Sequence, residues 1–343
     1  MLVDKTALVV TSISAPNPVL TALARGCVEH GIRFIVIGDT RSPQDFSLDG
    51  CEFHSLDAQR AHGFRFAEAC PTRHYARKNI GYLLALRDGA DIIVETDDDN
   101  FPRPAFWEPR RRHHQGDVCD RQGWVNIYRH FSDANIWPRG LPLDEIGRLP
   151  AASMQTGSMN CPIQQGLADE NPDVDAIYRL TLPLPQSFRS GRVALAPGAW
   201  CPFNSQNTAW FRDAAALLYL PSYCSFRMTD IWRSFVAQRI AWENGWSVLF
   251  HEATVWQERN AHDLMRDFQD EVPGYLHNRA ICESLVACKL QGGIANMPDD
   301  LRVCYRSLAG AGFMDTKELA LLDAWLSDLD GIGHSATKAG AAE

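Results

Sequence analysis

Short apolar runs alternate with helix-spaced stripes through the first hundred residues. Thr6–Ile13 is an apolar run ending in small hydroxyl residues, which predicts a buried strand. Pro16–Gly31 carries Leu20, Leu23, Ala24, Cys27 and Val28 at helical spacing, with Gly31 as its stop. Phe34–Gly38 reads as a second buried strand and runs into Asp39-Thr40-Arg41-Ser42-Pro43. A strand, a helix and a strand at this spacing form a βαβ unit with a right-handed crossover. The next helix is predicted over Thr72–Asp88, with Ala76, Ile80, Leu83 and Leu84 facing inward and Gly89 ending it. It leads into Ile92-Ile93-Val94, a β-branched run too short for a helix, expected as a buried parallel strand. The order of elements predicts an α/β fold.

After Pro102 the pattern loosens. Trp124–Pro142 is rich in aromatic residues that either stack on sugars or fill a core. Gln165–Ala176 reads as a polar turn region, with Asp173 and Asp175 as spare carboxylates or turn residues. Cys201–Phe211 alternates polar amides with apolar residues, as a half-buried strand would. Ile231–Asn244 is a helix striped by Ile231, Phe235, Val236 and Ile240, and Trp246–Phe250 a short strand. Helices are expected around Ile281–Leu290 and Lys317–Leu329, and the small, polar stretch Gly331–Glu343 as a disordered tail. The division expected is an α/β unit over 1–265, a helical extension over 266–330 and the tail.

Composition changes this picture little. The 343 residues are 45% hydrophobic and 22% charged, ordinary for a globular protein with a sizeable core. A net charge of −9 argues against broad contact with nucleic acid or an anionic membrane surface. Arg110-Arg111-Arg112-His113-His114 breaks that balance, as a solvated loop or a phosphate reader. No run of about 18 apolar residues occurs, so no transmembrane segment is expected. Ten cysteines fall singly and none forms a Cys-x-x-Cys pair, which fits a reducing, cytoplasmic setting.

The candidate chemistry gathers at predicted strand ends. Ile92–Val94 feeds into Glu95-Thr96-Asp97-Asp98-Asp99, and open α/β sheets bind ligands at carboxyl ends of strands. Three adjacent carboxylates repel one another, and a divalent cation (Mn²⁺ or Mg²⁺) offsets that cost. Such a hard ion takes one or two carboxylates plus phosphate oxygens. Alternation predicts Asp97 and Asp99 on one side and Asp98 on the other; the competing reading is a solvated acidic turn. Thr11, Ser12, Asp39 and Arg41 lie at strand ends on the same rim, as nucleoside contacts or as turn formers. Arg77 and Lys78 fall near the start of their helix, where cations oppose its dipole unless an anion such as a diphosphate is close. Asn204, Asn207 and Arg139 could line a sugar pocket. Asp230, at the start of its helix, either caps it or faces the sugar or acceptor, orienting hydroxyls or acting as base. His262 is a third metal ligand or an exposed histidine.

Several strings resemble the STELLO-type glycosyltransferases and, more distantly, the reversibly glycosylated polypeptides, which include UDP-arabinopyranose mutases. They are Ile37–Pro43, Ala76–Leu83, Asp97-Asp98-Asp99, Trp137-Pro138-Arg139-Gly140, Pro202–Thr208 and Arg227–Arg233, in family order over about residues 5 to 265. The resemblance implies a GT-A-like fold, a UDP-sugar donor and a divalent ion at an Asp-x-Asp motif, onto which Asp97 and Asp99 map. Arg139 aligns with an arginine to which the mutases' reversible glycosylation is attributed, with Leu141 standing where they carry tyrosine. The activity implied is hexosyl or pentosyl transfer to a hydroxyl acceptor. A nucleotide-sugar mutase and a non-catalytic partner of a polysaccharide synthesis complex are the alternatives.

Overall fold

A computed structural model describes residues 4–147, 154–258 and 263–340. The strands are β1 (Thr6–Thr11), β2 (Arg33–Ile37), β3 (Glu52–His54), β4 (Ile92–Thr96), β5 (Asn100–Pro102), β6 (His113–Cys119) and β7 (Gly123–Trp124). They continue as β8 (Met154–Asn160), β9 (Ile163–Asp169), β10 (Arg192–Leu195), β11 (Ala199–Trp200), β12 (Asn207–Phe211) and β13 (Val248–Gln257). The main sheet runs β3-β2-β1-β4-β12-β9-β13-β10-β6-β8, with β5 paired to the end of β13. The expected α/β class is what forms: a mixed sheet flanked by helices, with a helical C-terminal region.

The first four strands are parallel, and β1 lies between β2 and β4. The chain thus steps to one side of β1, then returns to the other, and the crevice at the carboxyl ends of β1 and β4 is a topological switch point. The predicted helix over Pro16–Gly31 forms as Pro18–His30 and ends on Gly31 in the left-handed conformation. The helix predicted over Thr72–Asp88 forms as a 3₁₀ turn, Tyr75–Arg77, followed by Lys78–Arg87. Lys78 to Leu86 are all buried, because the sheet lies on one side and the Lys317–Gly340 helix packs on the helix as well. Gly81 permits that seating: a Cβ there would come within 2.4 Å of Val9 Cγ1.

Beyond β4 the sheet turns mixed, and two expectations change. Of Cys201–Phe211 only Asn207–Phe211 is strand, buried rather than half-buried, since β12 sits between β4 and β9. The supposed turn region Gln165–Ala176 begins inside the buried strand β9. Its polar side chains are tolerated there because backbone groups satisfy them: Gln164 Nε2 donates to the carbonyls of Arg111 and Cys161. Gln165 Oε1 likewise accepts from Asn204 N at 2.8 Å.

The Thr229–Glu243 helix covers this part of the sheet, and Leu264–Ala287 and Met297–Gly310 pack on it. The segment expected as a tail overlaps the end of the Lys317–Gly340 helix, and 341–343 lie outside the described residues. Among the described residues no helix is long and apolar enough to cross a membrane. All ten cysteines are free thiols.

Candidate functional site

The carboxyl ends of β1, β2 and β4 open onto a cleft with two lobes. One, about 370 Å³, is lined by Thr11, Ser12, Gly38, Asp39, Arg41 and the rings of His74, Tyr75 and Phe226. The other, about 430 Å³, is lined by Asp97, Asp98, Asp99, Arg139, Asp173 and Asp230. Thr11, Ile13, Tyr75, Asp98 and Phe226 border both lobes, so the acidic turn after β4 stands at their junction.

Each aspartate of that turn has its own support. Asp97 Oδ1 accepts from Lys78 Nζ at 2.9 Å, and the same ammonium donates to the carbonyls of Thr96 and Ser205. Burial raises the Asp97 carboxyl above its usual range, while the Lys78 charge pulls against that rise. Asp98 Oδ2 accepts from Ser12 Oγ, tying the ends of β1 and β4 together. Asn17 Nδ2 donates to the Asp98 carbonyl at 2.8 Å, while Asn17 Oδ1 caps the Pro18–His30 helix through Leu20 N. Asp99 Oδ2 accepts from Gln257 Nε2 at 3.0 Å. Asp97 and Asp99 border only the second lobe and Asp98 both, so the expected alternation is approximated by a turn.

The far wall of the second lobe is an arginine between two carboxylates. Arg139 Nε and Nη2 donate to Asp173 at 2.8 and 2.9 Å, and Nη1 and Nη2 donate to Asp230 at 3.1 Å each. Nη1 also donates to the Arg227 carbonyl. Gly140 makes this turn possible: its φ is +93°, and a Cβ would lie 2.5 Å from Ile231 Cγ2. Burial alone would raise the Asp230 carboxyl, but the Arg139 charge and hydrogen bonds prevail and hold it down at about 2. Ser205 N and Ile231 N also donate to Asp230. It begins the Thr229–Glu243 helix without capping it by side chain.

Several expected site residues stand elsewhere. Lys78 is fully buried and engaged with Asp97, so the anion that relieves its charge is the protein's own. Arg77 borders the first lobe, but its Nε donates to Gln59 Oε1 and its Nη1 to the Cys70 carbonyl. Neither amide lines the cleft. Asn204 Nδ2 donates to Asp173 at 2.8 Å, and Asn207 Nδ2 to Leu167 O and Thr254 Oγ1 inside the sheet. His262 lies outside the described residues. Asp173, expected as a spare carboxylate or a turn residue, holds Arg139, and the Tyr75 and Phe226 rings join the cleft wall with no motif to mark them. No pattern in the sequence marks Phe226, whose exposure only the fold reveals.

Among the described residues, no group of three or more His, Cys, Asp or Glu side chains is drawn together to hold a metal unaided. The turn still suits a hard cation that shares its shell with water and phosphate. Asp97 Oδ2 and Asp98 Oδ1 face no hydrogen-bond donor among the described residues.

A family model described as STELLO glycosyltransferases matches residues 227–339. Two proteins of Arabidopsis thaliana, named "Probable glycosyltransferase STELLO1" and "Probable glycosyltransferase STELLO2", are each 29% identical over 89% of this chain. The chain spans 42% of the length of each. A solved structure titled "Crystal Structure of a Mycobacterial Protein" aligns with a TM-score of 0.42 and 10% identity, over 80% of this chain and 74% of that one. The chain is thus similar, over most of its length, to proteins of the glycosyltransferase class. The family model and both relatives bear the name STELLO, the family that the motifs resemble.

Proposed function

We propose that this chain is a metal-dependent glycosyltransferase whose donor is a nucleotide-diphosphate sugar, in the first instance a UDP-sugar. The observation that carries the reading is the acidic turn at the junction of two lobes at a switch point. The nucleoside lies in the first lobe beside Thr11, Ser12, Asp39 and Arg41, against the His74–Tyr75–Phe226 rings. The diphosphate crosses above Asp98, and the sugar enters the second lobe. Asp97 and Asp99 would hold a Mn²⁺ or Mg²⁺ ion, which would supply charge neutralisation for the departing group.

The chain's own residues do the rest. Lys78 fixes the Asp97 carboxylate from beneath, and Gln257 fixes Asp99. Asp230 orients hydroxyls and does not take a proton, because a base works best near the operating pH and this carboxyl sits at about 2. Arg139 is a positioning residue. Its Nε, Nη1 and Nη2 are all engaged by Asp173, Asp230 and the Arg227 carbonyl, which disfavours transfer of sugar onto its nitrogen.

Turnover of a UDP-sugar panel, with manganese and with EDTA, tests this in wild type and Asp99→Ala. The expected loss in the variant is roughly 100-fold or more. Full turnover in EDTA, or in Asp99→Ala, removes the ion from the mechanism. Product analysis from donor alone separates transfer from ring-form interconversion.

A further inference from the structure

The basic cluster at Arg110–His114 takes no part in the donor cleft. Arg112 is settled by protein partners, with Nε donating to Asn160 Oδ1 at 2.8 Å and Nη1 to Asp213. Its neighbours line a separate cavity of about 450 Å³ that shares no lining residue with either lobe of the cleft. Arg110 and Arg111 enter it ahead of β6, Arg192 from the start of β10, and His251 from β13.

The charges in this cavity are unevenly matched. Glu108 and Glu252 lie 3.9 and 3.6 Å from Arg192, and Asp117 lies 3.9 Å from His130. Among the described residues, neither Arg110 nor Arg111 has a carboxylate within ion-pair distance. Arg110 Nη1 and Nη2 donate only to the carbonyls of Glu108 and Phe106, both at 3.2 Å. Its Nε is enclosed by protein and has no acceptor among the described residues. Burial, reinforced by Arg192, pulls the Arg110 guanidinium down to about 10. His251 does not supply positive charge: burial holds it down at about 3, and its Nδ1 meets the Glu252 carbonyl at 3.0 Å.

A buried donor without an acceptor is costly, and the planar guanidinium fork matches an oxyanion. We propose that this cavity is a second ligand site, in which Arg110 and Arg111 hold an oxyanion, the phosphate or carboxylate of a small molecule or glycan. Anion binding gives Arg111 a counter-charge and sets a negative charge beside the Arg110 guanidinium, which has no carboxylate of its own within ion-pair distance among the described residues. The site stands independently of the donor assignment.

Isothermal titration of the whole chain in EDTA, with inorganic phosphate and separately with acetate, tests the proposal. At least one anion should bind, weakened about tenfold or more in both Arg110→Gln and Arg111→Gln and unchanged in Arg41→Gln. Phosphate binding assigns a phosphate ester, and acetate binding alone assigns a carboxylate. Arg111 is exposed, so its variant keeps the test open if Arg110→Gln fails to fold. The proposal is overturned if neither anion binds, if Arg111→Gln binds as wild type, or if binding is lost in Arg41→Gln.

Discussion

Glu95 and Asp97 stand two residues apart at the end of β4, and each carboxylate meets a buried cation. Glu95 is sealed: Arg233 Nη1 and Nη2 donate to it at 3.0 and 2.7 Å, Trp210 Nε1 at 2.8 Å, and Tyr82 Oη from the helix beneath. The Asp97 side chain keeps 38% of its exposure, although its partner Lys78 has none. The difference is one of saturation. Glu95 has a donor on every side and acts as a bolt between the sheet and the Thr229–Glu243 helix. Asp97 spends one oxygen on Lys78 and keeps the other toward the cleft.

Substitutions can break that contrast. Glu95→Leu strands the Arg233 charge in the core and should cost roughly 3–5 kcal/mol in urea unfolding. Adding Arg233→Met should recover most of that loss; a single variant with the wild-type midpoint would show that the pair is not a bolt. Asp230 offers a test by acid. Its folded pKa of about 2 lies below the ordinary 3.8, so its contribution is complete above about pH 4 and disappears as pH falls through 2. The amount is on the order of 2 kcal/mol, and Asp230→Asn should flatten the stability profile across that window.

Lys78→Met probes the open member of the comparison. It should cost roughly 1–3 kcal/mol near neutral pH, less than Glu95→Leu, because water reaches Asp97. Without the ammonium the folded Asp97 pKa rises further. The loss should therefore fade on acidification, once the carboxyl is protonated in both states; a pH-independent loss would point to packing alone. The smallest effect is expected for Asn207→Ala, about 1 kcal/mol, with UDP affinity measured by calorimetry unchanged. Weakened UDP binding would return this amide to the ligand.

The sequence disclosed the parts of the fold that depend on neighbours in the chain. β1, its helix, β2 and β4 form almost where the apolar runs place them, because parallel strands buried on both faces read as continuous hydrophobic stretches. β9 was hidden, since Gln165 and the polar residues after it read as turn until distant backbone groups satisfy that amide. The same limit applies at the cleft. The rim residues Thr11, Ser12, Asp39 and Asp97–Asp99 could be read from strand ends, and they do share one cleft. Lys78 finds Asp97 and Arg139 finds Asp173 only through tertiary packing, 19 and 34 residues away, and no local pattern announces such pairs.

Asn17 holds two structures with one carboxamide, its oxygen on the first turn of a helix and its nitrogen on the backbone of Asp98. A shift of the acidic turn on ligand entry therefore loosens or tightens the Leu20 amide. Deuterium uptake at that amide would report what happens in the cleft, and Asn17→Asp, which keeps the cap and loses the tether, would silence it.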